Sequence, residues 1–224
     1  MKTFVLSLGG AIVVPEEIDT NFLKKFKQLI LKYSQKNKFY IIVGGGWTCR
    51  KYQAVLRQIG VKDSADLDWT GIAATRLNAR LVRALFGKSA LSEIIKDPNV
   101  LPRGKGNIII GGGWKPGWST DYVAVNIAKK VKAAAVINLS NIDYVYSEDP
   151  KKNPQAPKLK KLSWPELRVL VGSKWVPGMN LPFDPIACKL AEKEGIKLVV
   201  ANGRNIGNLE HILLGKSFLG TEVG

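Results

Sequence analysis

Short apolar runs rich in β-branched residues alternate along the chain with longer stretches in which apolar residues recur every three or four positions, a pattern that predicts strands followed by helices. The segments 3–8 (TFVLSL), 39–43 (FYIIV), 107–111 (NIIIG), 134–139 (AAVINL) and 196–201 (IKLVVA) read as strands, and a last strand closes the chain. Helices are expected over about 18–36, 47–59, 65–86, 119–131 and 205–214, and near 163–172 and 183–195. In the longest of them, Ile72, Ala73, Leu77, Leu81 and Leu85 fall at helical spacing. A polar stretch at 141–161 reads as a loop or hairpin. Regular alternation of this kind predicts a mostly parallel sheet covered by helices on both faces, an αβα sandwich.

Glycine clusters close three of the strands: Gly9-Gly10, Gly44-Gly45-Gly46 and Gly111-Gly112-Gly113. Glycines at strand ends close tight turns without any ligand, but they also let backbone N–H groups approach an anion, and a helix N-terminus adds partial positive charge. The residues that follow favour the second reading. Arg50 lies about one helical turn past the second cluster, and the third runs on through Trp114-Lys115-Pro116-Gly117-Trp118-Ser119-Thr120-Asp121, with a cation, hydroxyls and a further turn. In an open parallel sheet the ligand sits beyond the carboxyl ends of the strands, where all three clusters fall. The segment after strand 134–139, Ser140-Asn141-Ile142-Asp143-Tyr144-Val145-Tyr146-Ser147-Glu148-Asp149-Pro150, ends at the same edge and adds carboxylates and an aromatic ring. Asp143 and Asp149 are also ordinary turn formers.

Composition narrows the chemistry. The 224 residues suit one large α/β domain spanning 1–224, with no Pro/Gly/Ser-rich linker to divide it. No apolar stretch reaches the length of a membrane span, and the opening MKTFVLSLGG lacks a small-residue cleavage site, so it reads as the first strand and the protein as cytoplasmic. Cys49 and Cys188 are the only cysteines and His211 the only histidine, which argues against a disulfide framework, a His/Cys metal site and a hydrolase triad; no residue is assigned as a metal ligand. The net charge of +16 favours polyanionic partners. Its lysines are dispersed (Lys24, Lys25, Lys27, Lys32, Lys36, Lys38, then Lys151, Lys152, Lys158, Lys160, Lys161) and no nucleic-acid-binding signature accompanies them, so nucleotides are preferred over nucleic acid. Walker A and G-x-G-x-x-G patterns are both absent, so the phosphate site is expected to be spread over several loops.

On these residues the chain resembles the amino acid kinase superfamily and, within it, the archaeal-type uridylate (UMP) kinases. The likeness runs from Ser7-Leu8-Gly9-Gly10-Ala11, through Gly44-Gly45-Gly46 with Arg50, Asp68 with Gly71 and Thr75-Arg76-Leu77-Asn78, and Gly112-Gly113 to Asp121, to Ser140-Asn141-Ile142-Asp143, Asp149-Pro150, Asp184-Pro185 and Gly220-Thr221. The resemblance implies an αβα sandwich, Mg²⁺-dependent transfer of the ATP γ-phosphoryl group to UMP, and a homo-oligomer, usually a hexamer. Carried over by position, Gly9, Gly10, Ala11, Gly45 and Arg50 would contact the ATP phosphates, and Ser140, Tyr146 and Asp149 the ATP base and ribose. Gly44, Asp68, Trp114, Lys115, Pro116, Gly117, Trp118, Ser119 and Thr120 would hold UMP. Arg50, Lys115, Asn141 and Asp143 would serve the transfer itself.

Some positions depart from the family pattern. Ser7 stands where many members carry a phosphate-neutralising lysine, so another cation is expected to replace it, with Lys115, Arg50 and Lys189 as candidates. Ala11 replaces a serine, and Tyr144 a glycine; were that glycine in the left-handed region, tyrosine there would be strained by about 1–3 kcal/mol unless the loop differs. Trp114 and Trp118 are larger than usual and either stack on a base or reshape the acceptor pocket. The alternatives are a superfamily kinase with another acceptor, a nucleotide binder without turnover, and a nucleic-acid-binding module driven by charge.

Overall fold

The computed structural model describes residues 1–150, 152–173 and 181–224. Lys151, one of the dispersed lysines, lies outside them. In chain order the elements are β1 (Lys2–Leu8), α1 (Gly10–Val13), α2 (Thr20–Ser34), β2 (Asn37–Val43), α3 (Gly46–Gln58), α4 (Ser64–Phe86), β3 (Ile108–Gly111), α5 (Thr120–Val131) and β4 (Ala135–Ser140). There follow β5 (Val145–Tyr146), β6 (Lys158–Leu159), β7 (Lys161–Leu162), α6 (Trp164–Val171), α7 (Pro185–Lys193), β8 (Lys197–Asn202), α8 (Ile206–Leu214) and β9 (Thr221–Val223). The main sheet has the order β3-β2-β1-β4-β8-β9-β7. Its first five strands are parallel; β9 runs antiparallel to β8, and β7 lies parallel to β9. The polar stretch after β4 contains the antiparallel hairpin β5–β6.

Because successive strand residues point to opposite faces, the apolar runs feed two cores at once. Val5, Tyr40, Ile42, Ile109 and Val136 join Val123, Ile127, Leu167 and Ala187 on the face covered by α5, α6 and α7. Leu6, Leu8, Phe39, Ile41, Val43, Ile110 and Leu139 join Phe22, Phe26, Ile30, Val82 and Leu209 on the face covered by α2, α4 and α8. This is the expected αβα sandwich.

Helix α4 turns inward only part of its apolar set, Ile72 with the half-buried Leu81 and Leu85, and adds polar residues to that face. Its buried residues include Asp68, Gly71, Thr75 and Asn78 beside Ile72, Ala79 and Val82, whereas Ala73 is exposed and Leu77 is 62% exposed. The polar residues go inside because they bind the backbone of the glycine turns, as described below. Tyr144 also differs from expectation. Lys132 is the one non-glycine residue with positive φ among those described, so Tyr144 is not in the left-handed region; its ring is buried, with the Lys158 ammonium 5.6 Å from its centroid. The loop thus accommodates tyrosine without backbone strain.

Candidate functional site

Strands β1 to β4 are parallel and in close register, so Gly9, Gly44, Gly112 and Asn141 all emerge at one edge. The order runs outward from β1 to β2 and β3 on one side and to β4 and β8 on the other, which makes the gap between β1 and β4 a topological switch point. The Gly9 amide donates to the Leu139 carbonyl across that gap at 2.8 Å.

The first two glycine turns pack on each other, backbone against backbone. A Cβ on Gly10 would stand 2.0 Å from the Gly46 nitrogen and 2.6 Å from the Gly44 carbonyl carbon, and one on Gly46, whose φ is +61°, would stand 2.4 Å from the Gly10 oxygen. Further backbone hydrogen bonds fix the pair: Gly44 N–H to Leu8 O at 2.9 Å and Trp47 N–H to Val14 O at 2.9 Å. From α4, the buried Asn78 amide donates to Gly44 O at 2.9 Å and Gly45 O at 3.0 Å. Ala11 is half-buried on α1, and Gly45 caps α3, whose N-terminus opens on this edge. Arg50 is exposed in α3, with its guanidinium 5.7 Å from the Trp47 ring centroid.

The loop from Gly112 to Ser119 is held by α4 through its backbone. Thr75 Oγ1 accepts from Gly113 N–H at 2.7 Å, and Arg76 donates to Gly113 O at 3.1 Å and Trp114 O at 2.8 Å. The buried Asp68 accepts from Gly117 N–H at 2.7 Å, at the position where φ is +85°. Trp114, Trp118 and Tyr122 form a row: the first two rings have centroids 6.0 Å apart, and the last two are stacked at 4.0 Å. Lys115 is exposed, its ammonium 4.2 Å from the Trp114 ring centroid. Pro116, Ser119 and Thr120 are half-buried, and Ser119 caps α5 by accepting from Tyr122 N–H at 3.1 Å.

Beneath this loop lie two carboxyl groups to which sequence reasoning assigned no role. Ser7 lies two residues beyond Val5 on β1 and therefore shares its α5 face, where its hydroxyl donates to Asp121 Oδ1 at 2.7 Å. Burial pushes the Asp121 carboxyl up to about 7, the nearby Asp184 charge adds to this, and the Ser7 hydrogen bond pulls the other way. Asp184 is buried; it accepts from the Ser119 hydroxyl and caps α7 through Ile186 N–H at 2.5 Å and Ala187 N–H at 3.2 Å. The described neighbour of Ser7 is thus a carboxyl group, while Arg50, Lys115 and Lys189 are exposed.

Across the switch point a cavity of about 470 Å³ is lined by Ser140, Asn141, Asp143, Tyr146, Asp149 and Pro150, with Leu170, Leu181 and Pro182 among its apolar walls. Ser140 Oγ accepts from Ile142 N–H at 3.3 Å, and Asp143 accepts from the Asn202 amide at 2.9 Å. The structure therefore gathers the sequence-predicted residues into two neighbouring clusters, one around this cavity and one around the tryptophan loop, with the paired glycine turns at the same edge. Among the described residues no group of three His, Cys, Asp or Glu side chains is arranged to hold a metal ion. His211 is exposed on α8.

Residues 2–202 match the model of the amino acid kinase family. A uridylate kinase of Methanospirillum hungatei is 37% identical, covering 100% of this chain and 95% of its own length. Another, from Pyrococcus abyssi, is 32% identical, with 95% of each chain covered. The crystal structure of uridylate kinase from Archaeoglobus fulgidus superposes with a TM-score of 0.83 at 32% identity, with both chains covered in full.

Proposed function

The chain belongs to the amino acid kinase family, and from that premise we infer that it is a uridylate kinase, transferring the γ-phosphoryl group of ATP to UMP to give UDP and ADP. The observation that carries this reading is the pairing of a 470 Å³ cavity at Ser140–Pro150 with a rigidly held acceptor loop at Trp114–Thr120, on either side of the switch point, in a chain similar over its full length to uridylate kinases.

Ser140, Tyr146 and Asp149 hold the base and ribose of ATP, and Gly9, Gly10, Ala11 and Gly45 line its phosphates. UMP lies against Gly44 and the loop formed by Trp114, Lys115, Pro116, Gly117, Trp118, Ser119 and Thr120. Asp68 spends one carboxylate oxygen on Gly117 N–H, and the other is available to a ribose hydroxyl. Phosphoryl transfer demands alignment and charge neutralisation more than covalent chemistry from the protein. The α3 and α5 N-termini supply partial positive charge at this edge, and Arg50 and Lys115 bring mobile cations from the rim. Asn141 and Asp143 sit beside the transferred group. Mg²⁺ carried in by ATP keeps several of its waters and needs no dedicated protein cage; when bound it would neutralise the phosphate charge.

The whole chain, 1–224, acts as a single kinase domain in the cytoplasm, with no nucleic-acid or membrane partner. No helix among the described residues is long and apolar enough to cross a membrane. It assembles as a homo-oligomer, a hexamer in the family's manner, a reading supported by the exposed Tyr52 and Val55 of α3, Ile59 just past its end, and Trp69 and Leu77 of α4. The unstrained Tyr144 removes one ground for a nucleotide binder without turnover. The test is a coupled ADP-release assay with ATP, Mg²⁺ and UMP, CMP, AMP, GMP or acetylglutamate, with products identified by chromatography. UDP is the expected product; ATP binding with no acceptor-dependent ADP would refute the assignment.

A further inference from the structure

We infer that Thr221, in the last strand, orders the ATP cavity from outside it: its hydroxyl ties the β5–β6 hairpin to the main sheet and so sets the wall that Tyr146 to Pro150 present to the nucleotide. This rests on the kinase reading above, in which the cavity takes ATP; Thr221 itself touches no substrate.

A hairpin this small does not hold its own place. Its strands, Val145–Tyr146 and Lys158–Leu159, have two residues each, and an isolated pair of strands is marginally stable at best in water. Yet β5 and the segment after it line the cavity with Tyr146, Ser147, Glu148, Asp149 and Pro150. Thr221 supplies an anchor. It is fully buried, and its hydroxyl accepts from Val145 N–H at 2.8 Å and donates to Leu159 O at 2.5 Å. Val145 and Leu159 are register partners, so one hydroxyl grips both strands of the hairpin at the same rung. A second tie, from Asn202 on β8 to Asp143, is exposed and competes with water.

The strand that carries Thr221 is itself firmly held. It lies between β8 and β7, with Glu222 N–H donating to Lys160 O at 2.9 Å and Gly224 N–H to Leu162 O at 3.2 Å. Gly220, just before it, packs so closely that a Cβ there would stand 2.6 Å from Val200 O. Successive residues of a strand point to opposite sides, so seating Val145 in the core turns Tyr146 away from it and towards the cavity. Without the hydroxyl, Val145 N–H loses its partner in a buried place and the hairpin must shift to find another. ATP would then have to order this wall as it binds, which weakens its affinity. The loop from Gly112 to Ser119 is held separately by α4 and would not be disturbed.

Thr221→Val keeps the shape of the side chain and removes both hydrogen bonds, whereas Thr221→Ser keeps the hydroxyl. In Thr221→Val the calorimetric Kd for ATP and the KM for ATP in the coupled assay are expected to rise about three- to tenfold, the range that one hydrogen bond is worth, with KM for UMP within about twofold of normal. Thr221→Ser should bring both ATP values back to within about twofold. A protein that was merely destabilised would lose active molecules, lowering kcat at unchanged KM, so the KM values together with thermal melts separate the two roles. Hydrogen exchange on the unaltered protein without nucleotide needs no variant: the Val145 amide should exchange at least about 10²-fold more slowly than an unstructured amide. Exchange at the unstructured rate would overturn the inference even if Thr221→Val failed to fold. An unchanged Kd for ATP in Thr221→Val would overturn it too and leave the kinase reading intact. Absence of both ATP binding and UDP formation in the unaltered protein would defeat the kinase reading and this one with it.

Discussion

Replacing Gly10 by alanine is expected to damage the protein even when no nucleotide is present. The added Cβ would lie 2.0 Å from Gly46 N, 2.6 Å from the Gly44 carbonyl carbon and 2.7 Å from Gly45 N, all of them backbone atoms that cannot rotate away. To regain ordinary contact near 3.4 Å, the two turns must part by more than an ångström. That movement pulls on the Trp47–Val14 and Gly44–Leu8 hydrogen bonds. Overpacking of this kind typically costs about 1–3 kcal/mol. For a chain of this size a cost of about 2 kcal/mol lowers Tm by about 4–8 °C. Misplacing reacting groups by an ångström costs about 10² in rate, so kcat should fall by that order. Calorimetry of the apo-protein and the coupled assay read the two effects separately. Gly207→Ala serves as the control: within 4 Å its Cβ would meet only the Asn205 side-chain oxygen, at 3.8 Å, and it lies within a helix, so Tm should hold or rise. If Gly10→Ala weakens ATP binding while leaving the apo Tm unchanged, Gly10 is only a phosphate cradle and the packing argument is wrong.

Two further predictions concern single side chains. Because the folded Asp121 holds its proton up to about pH 7 and the unfolded chain releases it near pH 4, stability falls as pH rises between those values and levels off above them. The ceiling is about 4 kcal/mol, reduced to about 1–2 kcal/mol because the residue keeps partial contact with water; Asp121→Asn should flatten the slope in urea titrations at several pH values, and an unaltered slope would count against the buried-carboxyl account. Tyr144→Gly should lower stability by about 2–4 kcal/mol by deleting a buried ring and loosening the backbone; a gain would mean that tyrosine is strained there after all.

The sheet was largely legible because β1, β2 and β4 alternate cleanly between two apolar faces, and their following turns are marked by glycine or by the Ser-Asn-Ile-Asp run. Elements that were not foreseen lack such a signal. Helix α1 has four residues and β7 two, too few to show a period, and the antiparallel direction of β9 depends on pairing with β8 and not on its composition. The apolar stripe of helix α4 showed only part of its inward face, which also carries Asp68, Thr75 and Asn78, whose partners are backbone groups far away in the sequence. The glycines do close the strands as the sequence suggests, but part of their reason was hidden: Gly10 and Gly46 are small for the sake of each other, a contact between turns distant in sequence that only the folded chain reveals. Likewise, Ser7 was legible as a departure, while its partner Asp121 required the superposition of β1 and α5.

The loop from Gly112 to Ser119 owes its shape to bonds that Arg76, Thr75 and Asp68 make with its main chain, at Gly113, Trp114 and Gly117. None of these bonds depends on which side chain occupies positions 114, 115 or 118. Those three positions are therefore free to drift under selection without unseating the loop, so on the proposed reading a lineage carrying this scaffold can change its preferred acceptor through a few substitutions.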